Sequence, residues 1–389
     1  MGYSWRLPVS KVVRTRPIVM FIIWHQVCHN KASRSTVETV LVMTTDNDFV
    51  RLIGGIGSPY TQKMVALLRY RRIRHTPIWE QPQIVCEKLG IEKPKPVLMP
   101  TFLFEEQGGI RAVCDSTPII RRLEKQFADR SVLPVDPALA FVDYLLEDFA
   151  DEWCTKYMFH YRWHFEWDAD NAGTLLPLHF DVSMPRKQLE GFKDMFTDRQ
   201  VNRLYVVGSN DTTAPIIDQS YRRFLNAMNK LLNARKYLFG SRPSAADFAL
   251  YGQLTQLVGF DPTPRAIAEE ISPRTVAWVD LLRDQSALEP EPEDWLSLEE
   301  SADALADLLL EVGRTYAPAQ HANAGAVLEG RETWSCQIDG ETWTQPTFPY
   351  QAKCLQKTVE LYQTLNEKDR GRVDRVLAGT GVEAMLISQ

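Results

Sequence analysis

Gly57-Ser58-Pro59-Tyr60-Thr61-Gln62-Lys63 is where one local pattern stops and another starts. Before it, Phe49 to Ile56 (FVRLIGGI) is an apolar run closing on glycines, which predicts a short buried strand. After it, Met64, Leu67, Leu68 and Ile73 recur at near-helical spacing. Pro59 fits the first turn of that helix, where its missing N–H costs nothing. Ser58 therefore stands at a helix N-terminus, a place with unpaired N–H groups and a partial positive charge. Two roles suit it there. It is an N-cap, or its hydroxyl donates to an anion held at the helix end, for which a thiolate is well suited.

Working outward, Thr76 to Glu80 predicts a second strand and Ile84 to Leu89 a short helix ending at Gly90. The connection Lys93-Pro94-Lys95-Pro96 leads to a third strand over Thr101 to Phe104. Gln107-Gly108-Gly109 turns the chain into a fourth strand, Ile110 to Val113. Asp115-Ser116 then opens a helix with Ile119, Ile120 and Leu123 on one face. The order β-α-β-α-β-β-α predicts an α/β domain over residues 47–130, a right-handed crossover followed by a hairpin in a mixed four-stranded sheet. Met99-Pro100 is either an ordinary strand-entry proline or a cis turn that exposes the N–H and C=O of Met99. Asp115-Ser116 is either a capped helix, with Ser116 as N-cap, or a holder of charged ligand groups: carboxylate on Ser116, ammonium on Asp115.

Residues 135–285 read as all-helical. Ala138 to Trp167 predicts one long aromatic helix, and Ile217 to Leu232 a strongly amphipathic one. A further helix starts at Ser244 and runs through Leu254. The acidic, proline-containing linker Glu289 to Glu293 precedes an α+β extension over residues 295–389. That extension holds an acidic helix (Leu298 to Val312) and a hairpin about Asp339-Gly340, with Trp334 and Trp343 pairing across it. Two helices close it, Cys354 to Leu365 and Arg370 to Leu377.

At 389 residues the chain is too long for one compact core. Its net charge of -6 argues against a nucleic-acid surface. The six cysteines are scattered without a C-x-x-C, which predicts free thiols in a reducing, cytoplasmic setting rather than disulfides or zinc. The apolar run Ile18 to Trp24 is too short for a membrane span, which takes about 20 residues. Residues 1–46 are expected to be an extension outside the fold. His160 and His164 lie one helical turn apart near Glu166 and Asp168, but no motif places a third ligand, so no metal is expected.

Taken together these motifs carry a resemblance. Residues 49–127 resemble the N-terminal, thioredoxin-like domain of glutathione transferases. Ser58-Pro59-Tyr60-Thr61-Gln62-Lys63 is similar to the Ser-Pro-[Phe/Tyr]-x-x-[Lys/Arg] motif of the serine-type classes, Met99-Pro100 to the family's cis turn, and Asp115-Ser116 to its acidic-Ser pair. Gly240-Ser241-Arg242-Pro243-Ser244-Ala245-Ala246-Asp247 resembles the capping box of the second domain, with structural roles for Ser244 and Asp247. The stretch from Pro346 to Cys354 is similar to longer bacterial transferase-like proteins.

The resemblance implies a glutathione site. Catalytic Ser58 activates the thiol, Met99 and Pro100 present backbone to the cysteinyl unit, and Asp115 and Ser116 hold the γ-glutamyl end. Lys95 and Gln83 are candidates for the glycyl carboxylate. Tyr60, Trp153 and Tyr157 are second-tier candidates for the pocket of a small hydrophobic electrophile. The resemblance further implies a homodimer and glutathione as cosubstrate without another cofactor. A non-catalytic binding or scaffold protein is the alternative. Thiol–disulfide exchange is disfavoured, because Ser58 and Thr61 stand where that chemistry needs thiols.

Overall fold

The computed structural model describes residues 49–386, so the expected extension of residues 1–46 lies outside the described residues. The chain enters through β1 (Phe49–Gly54), α1 (Pro59–Tyr70), β2 (Arg74–Trp79), α2 (Pro82–Leu89), β3 (Thr101–Glu106), β4 (Gly109–Cys114) and α3 (Ser116–Gln126). The sheet order is β2-β1-β3-β4. β1 runs parallel to β2, with Ile53 beside Ile78, and antiparallel to β3, with Leu52 opposite Phe102. This is the mixed four-stranded, thioredoxin-like sheet expected from the sequence. It forms because β1 and β3 are buried on both faces (Leu52, Ile53, Phe102 and Leu103), while β2 and β4 have polar, half-exposed edges.

The helical part follows: α4 (Pro137–Glu152), α5 (Cys154–His164), α6 (Glu166–Leu178), α7 (Arg186–Val201), α8 (Ala214–Ala234), α9 (Ala245–Leu257), α10 (Pro262–Ile271) and α11 (Pro273–Leu282). The single helix expected over Ala138 to Trp167 is in fact three. The chain breaks at Trp153 and again at Phe165, whose backbone is extended. Neither break has a glycine or proline to signal it. Phe165 instead leaves the helix to stack on Tyr161, ring centroids 5.7 Å apart.

The last segment comprises α12 (Leu298–Glu311), α13 (Ala317–Leu328), β5 (Thr333–Ile338), β6 (Glu341–Pro346), α14 (Pro349–Thr364), α15 (Glu367–Leu377) and α16 (Glu383–Leu386). A wide helical turn, Val312–Tyr316, joins α12 to α13, so the helix expected to end at Val312 continues to Leu328. The segment has no core of its own. Leu305, Leu309, Trp343, Leu355 and Val373 belong to one apolar cluster with Leu67, Leu146 and Phe224. The hairpin forms, but Trp334 faces Gln345 and Trp343 faces Cys336. The two tryptophans are therefore diagonal neighbours, not a direct pair. Both are buried, and Trp343 packs on Trp153 at 5.3 Å.

Candidate functional site

α1 begins as its sequence dictates. The Ser58 hydroxyl oxygen accepts from the N–H of Thr61 (3.3 Å), and Pro59 follows in the first turn. The two roles open for Ser58 are thus compatible, because the same oxygen caps the helix and carries a proton of its own. That proton points at the carbonyl of Met99, 3.4 Å away, a weak contact that a better acceptor displaces. The Met99-Pro100 bond is cis. The N–H of Met99 makes no hydrogen bond among the described residues. A free backbone donor therefore lies beside the serine hydroxyl and the positive end of α1.

Asp115 sits at the start of α3 with φ of 85°, a backbone region that side-chain-bearing residues rarely adopt and that clusters at functional sites. It takes the cap position expected for Ser116, which is instead the first residue of α3. Burial raises the Asp115 pKa, and a 2.9 Å hydrogen bond donated by Tyr350 opposes that rise. Ser116 Oγ accepts from Lys63 Nζ (3.2 Å). Lys63, the last residue of the Ser58 motif, is completely buried and paired with Glu147 (2.8 Å) and Asp151 (2.6 Å) of α4. Burial alone would lower the lysine pKa, but the Asp151 and Glu147 carboxylates outweigh it and hold the group charged. The sequence did not reveal this triad, because its acids lie more than 80 residues away on another element.

The loop before Ser58 is clamped from the helical part. Arg162 donates to the carbonyl of Gly57 (3.1 Å), pairs with Asp261 (3.0 Å) and reaches Gln256 (2.8 Å), while Gln256 donates to the carbonyl of Ile56 (3.2 Å). All three side chains are buried. An apolar wall faces the same loop. A Cβ on Gly55 would meet Phe180 at 3.0 Å and Met99 Sδ at 3.5 Å, and one on Gly57 would overlap Leu176. Leu176 and Phe180 lie at the end of α6, an element the sequence reading left unassigned.

Of the three side chains expected to line the electrophile pocket, Tyr60 is half-buried, and Trp153 and Tyr157 are placed in the core. Tyr60 donates to the Asp151 carbonyl (2.7 Å). Trp153 and Tyr157 are fully buried, with the indole N–H donating to the Tyr157 hydroxyl (3.0 Å). Their aromatic surface is spent on the core, and neither lines an open cleft. Lys95 is exposed and paired with Glu92, and Gln83 contacts Gln81; neither approaches Ser58 in a hydrogen bond. Ser244 and Asp247 form the reciprocal capping box of α9 (2.9 Å and 3.3 Å). His160 and His164 stack at 4.5 Å. Burial pushes the His160 pKa down to about 3, and its Nδ1 contacts Ser209. No group of three or more metal-ligating side chains exists among the described residues. Nor is any helix among them long and apolar enough to cross a membrane.

A thioredoxin-like domain with a cis-proline turn beside a serine-capped helix, joined to a helical domain, defines a two-domain fold class. Comparison with known proteins agrees. Residues 52–131 match the glutathione S-transferase N-terminal domain, and residues 211–281 match the glutathione S-transferase C-terminal domain. In these two stretches the chain carries both domains of the glutathione S-transferase family. No protein of curated function matches it. Similar solved structures include a glutathione S-transferase from Rhodospirillum rubrum, 18% identical, covering 66% of this chain and 99% of that one, with a TM-score of 0.39. The Tau class enzyme of mango is 15% identical over 63% of this chain and 94% of that one, TM-score 0.35. A glutathione transferase-like protein of Pseudomonas syringae is 16% identical over 60% and 66%, TM-score 0.36.

Proposed function

We propose that this protein binds glutathione across Ser58, Met99 and Asp115 and transfers its thiolate to a small hydrophobic electrophile. The observation that carries the reading is the Ser58 hydroxyl, weakly engaged with Met99 O at 3.4 Å, beside the unpaired N–H of Met99. A bound tripeptide pairs its cysteinyl backbone with Met99. Its sulfur then lies at the N-terminus of α1, where the helix dipole favours the thiolate. The Ser58 proton turns from the carbonyl to the sulfur, and the thiol proton leaves to solvent. Asp115 receives the γ-glutamyl ammonium, and the first N–H groups of α3 receive the α-carboxylate. Leu176 and Phe180 offer apolar contact to the electrophile. The protein's part is then to lower a pKa and to position two reactants. The homodimer belongs to the same proposal and is tested by light scattering against the 44.6 kDa of one chain.

Glutathione titration by calorimetry, with turnover on a panel of electrophiles, tests the reading. Ser58→Ala is expected to lower kcat by about 10- to 100-fold while leaving the glutathione Kd within about threefold. Unchanged turnover in that variant refutes the role of Ser58.

One observation favours a second reading, a non-catalytic binding protein. Tyr350 already donates to Asp115, and Lys63 to Ser116, so the amino-acid end of the site has internal partners. No heat of glutathione binding at millimolar concentration would select this alternative.

A further inference from the structure

A cleft also opens away from Ser58. It opens between α3 and α14, with a volume of about 850 Å³, and meets the proposed glutathione site at Asp115 and Thr117, at the start of α3. Its floor is Tyr144 of α4, and Pro118 and Leu361 add apolar surface. That volume lies in the range that encloses a drug-sized organic molecule.

Its charge is opposite to that of the whole chain. The protein carries a net charge of -6, yet this cleft is lined by Arg121, Arg122 and Lys125 from one wall and by Lys353 and Lys357 from the other. Some of these are compensated. Arg121 pairs with Glu147 (2.5 Å), Arg122 with Glu106 (2.7 Å), and Lys357 contacts Glu360 (3.3 Å). Lys125 and Lys353 are not: neither has an ion pair or hydrogen bond among the described residues. The acids lining the cleft are already engaged. Asp115 accepts from Tyr350, and Asp148 accepts from the Tyr316 hydroxyl (2.6 Å). Burial raises the Asp148 pKa to about 7, so it opposes the lysines with less than a full charge.

The walls are also fixed. Ile119, Ile120 and Leu123 anchor α3, and Leu355 and Thr358 anchor α14, all buried. Lys125 and Lys353, both exposed, therefore stand on opposite walls of the cleft, one on α3 and one on α14, and the core fixes the two helices that carry them. α14 lies outside both matched domains, so this wall belongs to the part of the chain that the family models do not describe.

We propose that the cleft between α3 and α14 is a binding site for an organic anion with an apolar body and two acidic groups, one for Lys125 and one for Lys353. It is separate from the Ser58 site and does not depend on glutathione turnover. A dianion bridging the two rims neutralises both lysines, while its body covers Tyr144 and Leu361.

The disulfonate dye bis-ANS is a suitable probe, titrated against the folded full chain by fluorescence in the presence of saturating glutathione. The paired reversal Lys125→Glu, Lys353→Glu is expected to weaken dye binding by about tenfold or more. Paired Lys→Gln replacements should weaken it less, and Lys368→Glu, an exposed lysine on α15, should leave it unchanged. Added salt should weaken binding to the native chain more than to the reversed one. Equal affinity in the native and reversed chains would overturn the proposal. So would equally tight binding of the uncharged N-phenylnaphthylamine, or competitive displacement of the dye by glutathione. Absence of glutathione binding would refute the reading at Ser58 and leave the dye experiment intact.

Discussion

At the scale of single residues, the candidate site was legible wherever its parts are consecutive. Ser58-Pro59, Met99-Pro100 and Asp115-Ser116 are short motifs whose backbone consequences follow from a helix start, a proline and a helix start again. The structure places each of them at the same end of the sheet region. Tyr350 was not legible, because its hydroxyl reaches Asp115 from 235 positions along the chain. That contact has a consequence for affinity. In the proposed binding mode the γ-glutamyl ammonium competes with the Tyr350 O–H for the Asp115 carboxylate, whose pKa burial has already raised. Tyr350→Phe removes the competitor and leaves the ring. We expect glutathione to bind about threefold to tenfold more tightly, since one hydrogen bond to a charged group is exchanged. Calorimetry at pH 7 checks this; an unchanged or weaker affinity would mean that Tyr350 assists the ligand rather than competing with it.

At the scale of elements, periodicity located the strands and the long amphipathic helix α8, but not α6, α7, α10 or α11. α7 has no buried residue along its 16 positions, so no apolar stripe announces it. The same limit hid what holds α1. This helix packs on α9, where Gly252 approaches so closely that a Cβ would lie 2.5 Å from the Pro59 carbonyl. On its other side Lys63 enters the acids of α4. Three buried charges are stable only as a set, since each alone would cost several kcal/mol in a dry interior. Lys63→Met keeps the volume and strands Asp151, while Glu147 retains Arg121 at 2.5 Å. The expected loss is about 3–5 kcal/mol of unfolding free energy in urea at pH 8. It should shrink at pH 5: burial raises the Asp151 pKa to about 6 even beside Lys63, and without that cation it lies higher still, so the stranded group takes up a proton. A loss independent of pH would place the damage in packing rather than in charge.

At the scale of the whole molecule, the sequence divides into three stretches, and the structure joins them through one core. The linker Glu289 to Glu293 looked like a boundary because its residues are acidic and proline-rich. Yet the segment beyond it returns to α4, where Tyr316 donates to Asp148 and Gln351 to Glu152 (3.0 Å). α4 thus lies between the Ser58 site and the last segment, and its acids set how the assembly responds to pH. Burial raises the pKa of Asp143 and Asp148 to about 7 and of Glu152 to about 8. Unfolded, such groups titrate near 4. Between those values the folded chain binds more protons than the unfolded one, so stability falls as pH rises through the folded pKa values. The opposing groups, Lys156 and the histidines whose pKa burial lowers (His75, His160, His164 and His179), bound the useful window. His160, lowered to about 3, adds stability with rising pH only up to the unfolded histidine value near 6.5, and Lys156, lowered to about 8, does so only above that pH. From pH 6.5 to 8 the carboxyls therefore decide the sign. We expect stability to drop by on the order of 2 kcal/mol across that window, and Tm by roughly 4 °C. Glu152→Gln removes one titrating group while keeping a partner for Gln351, so its Tm should fall less steeply. Calorimetric scans of both chains at the two pH values read the difference. A Tm that rises from pH 6.5 to 8 would show that α4 holds its carboxylates charged, and that the last segment docks on ions rather than on neutral acids.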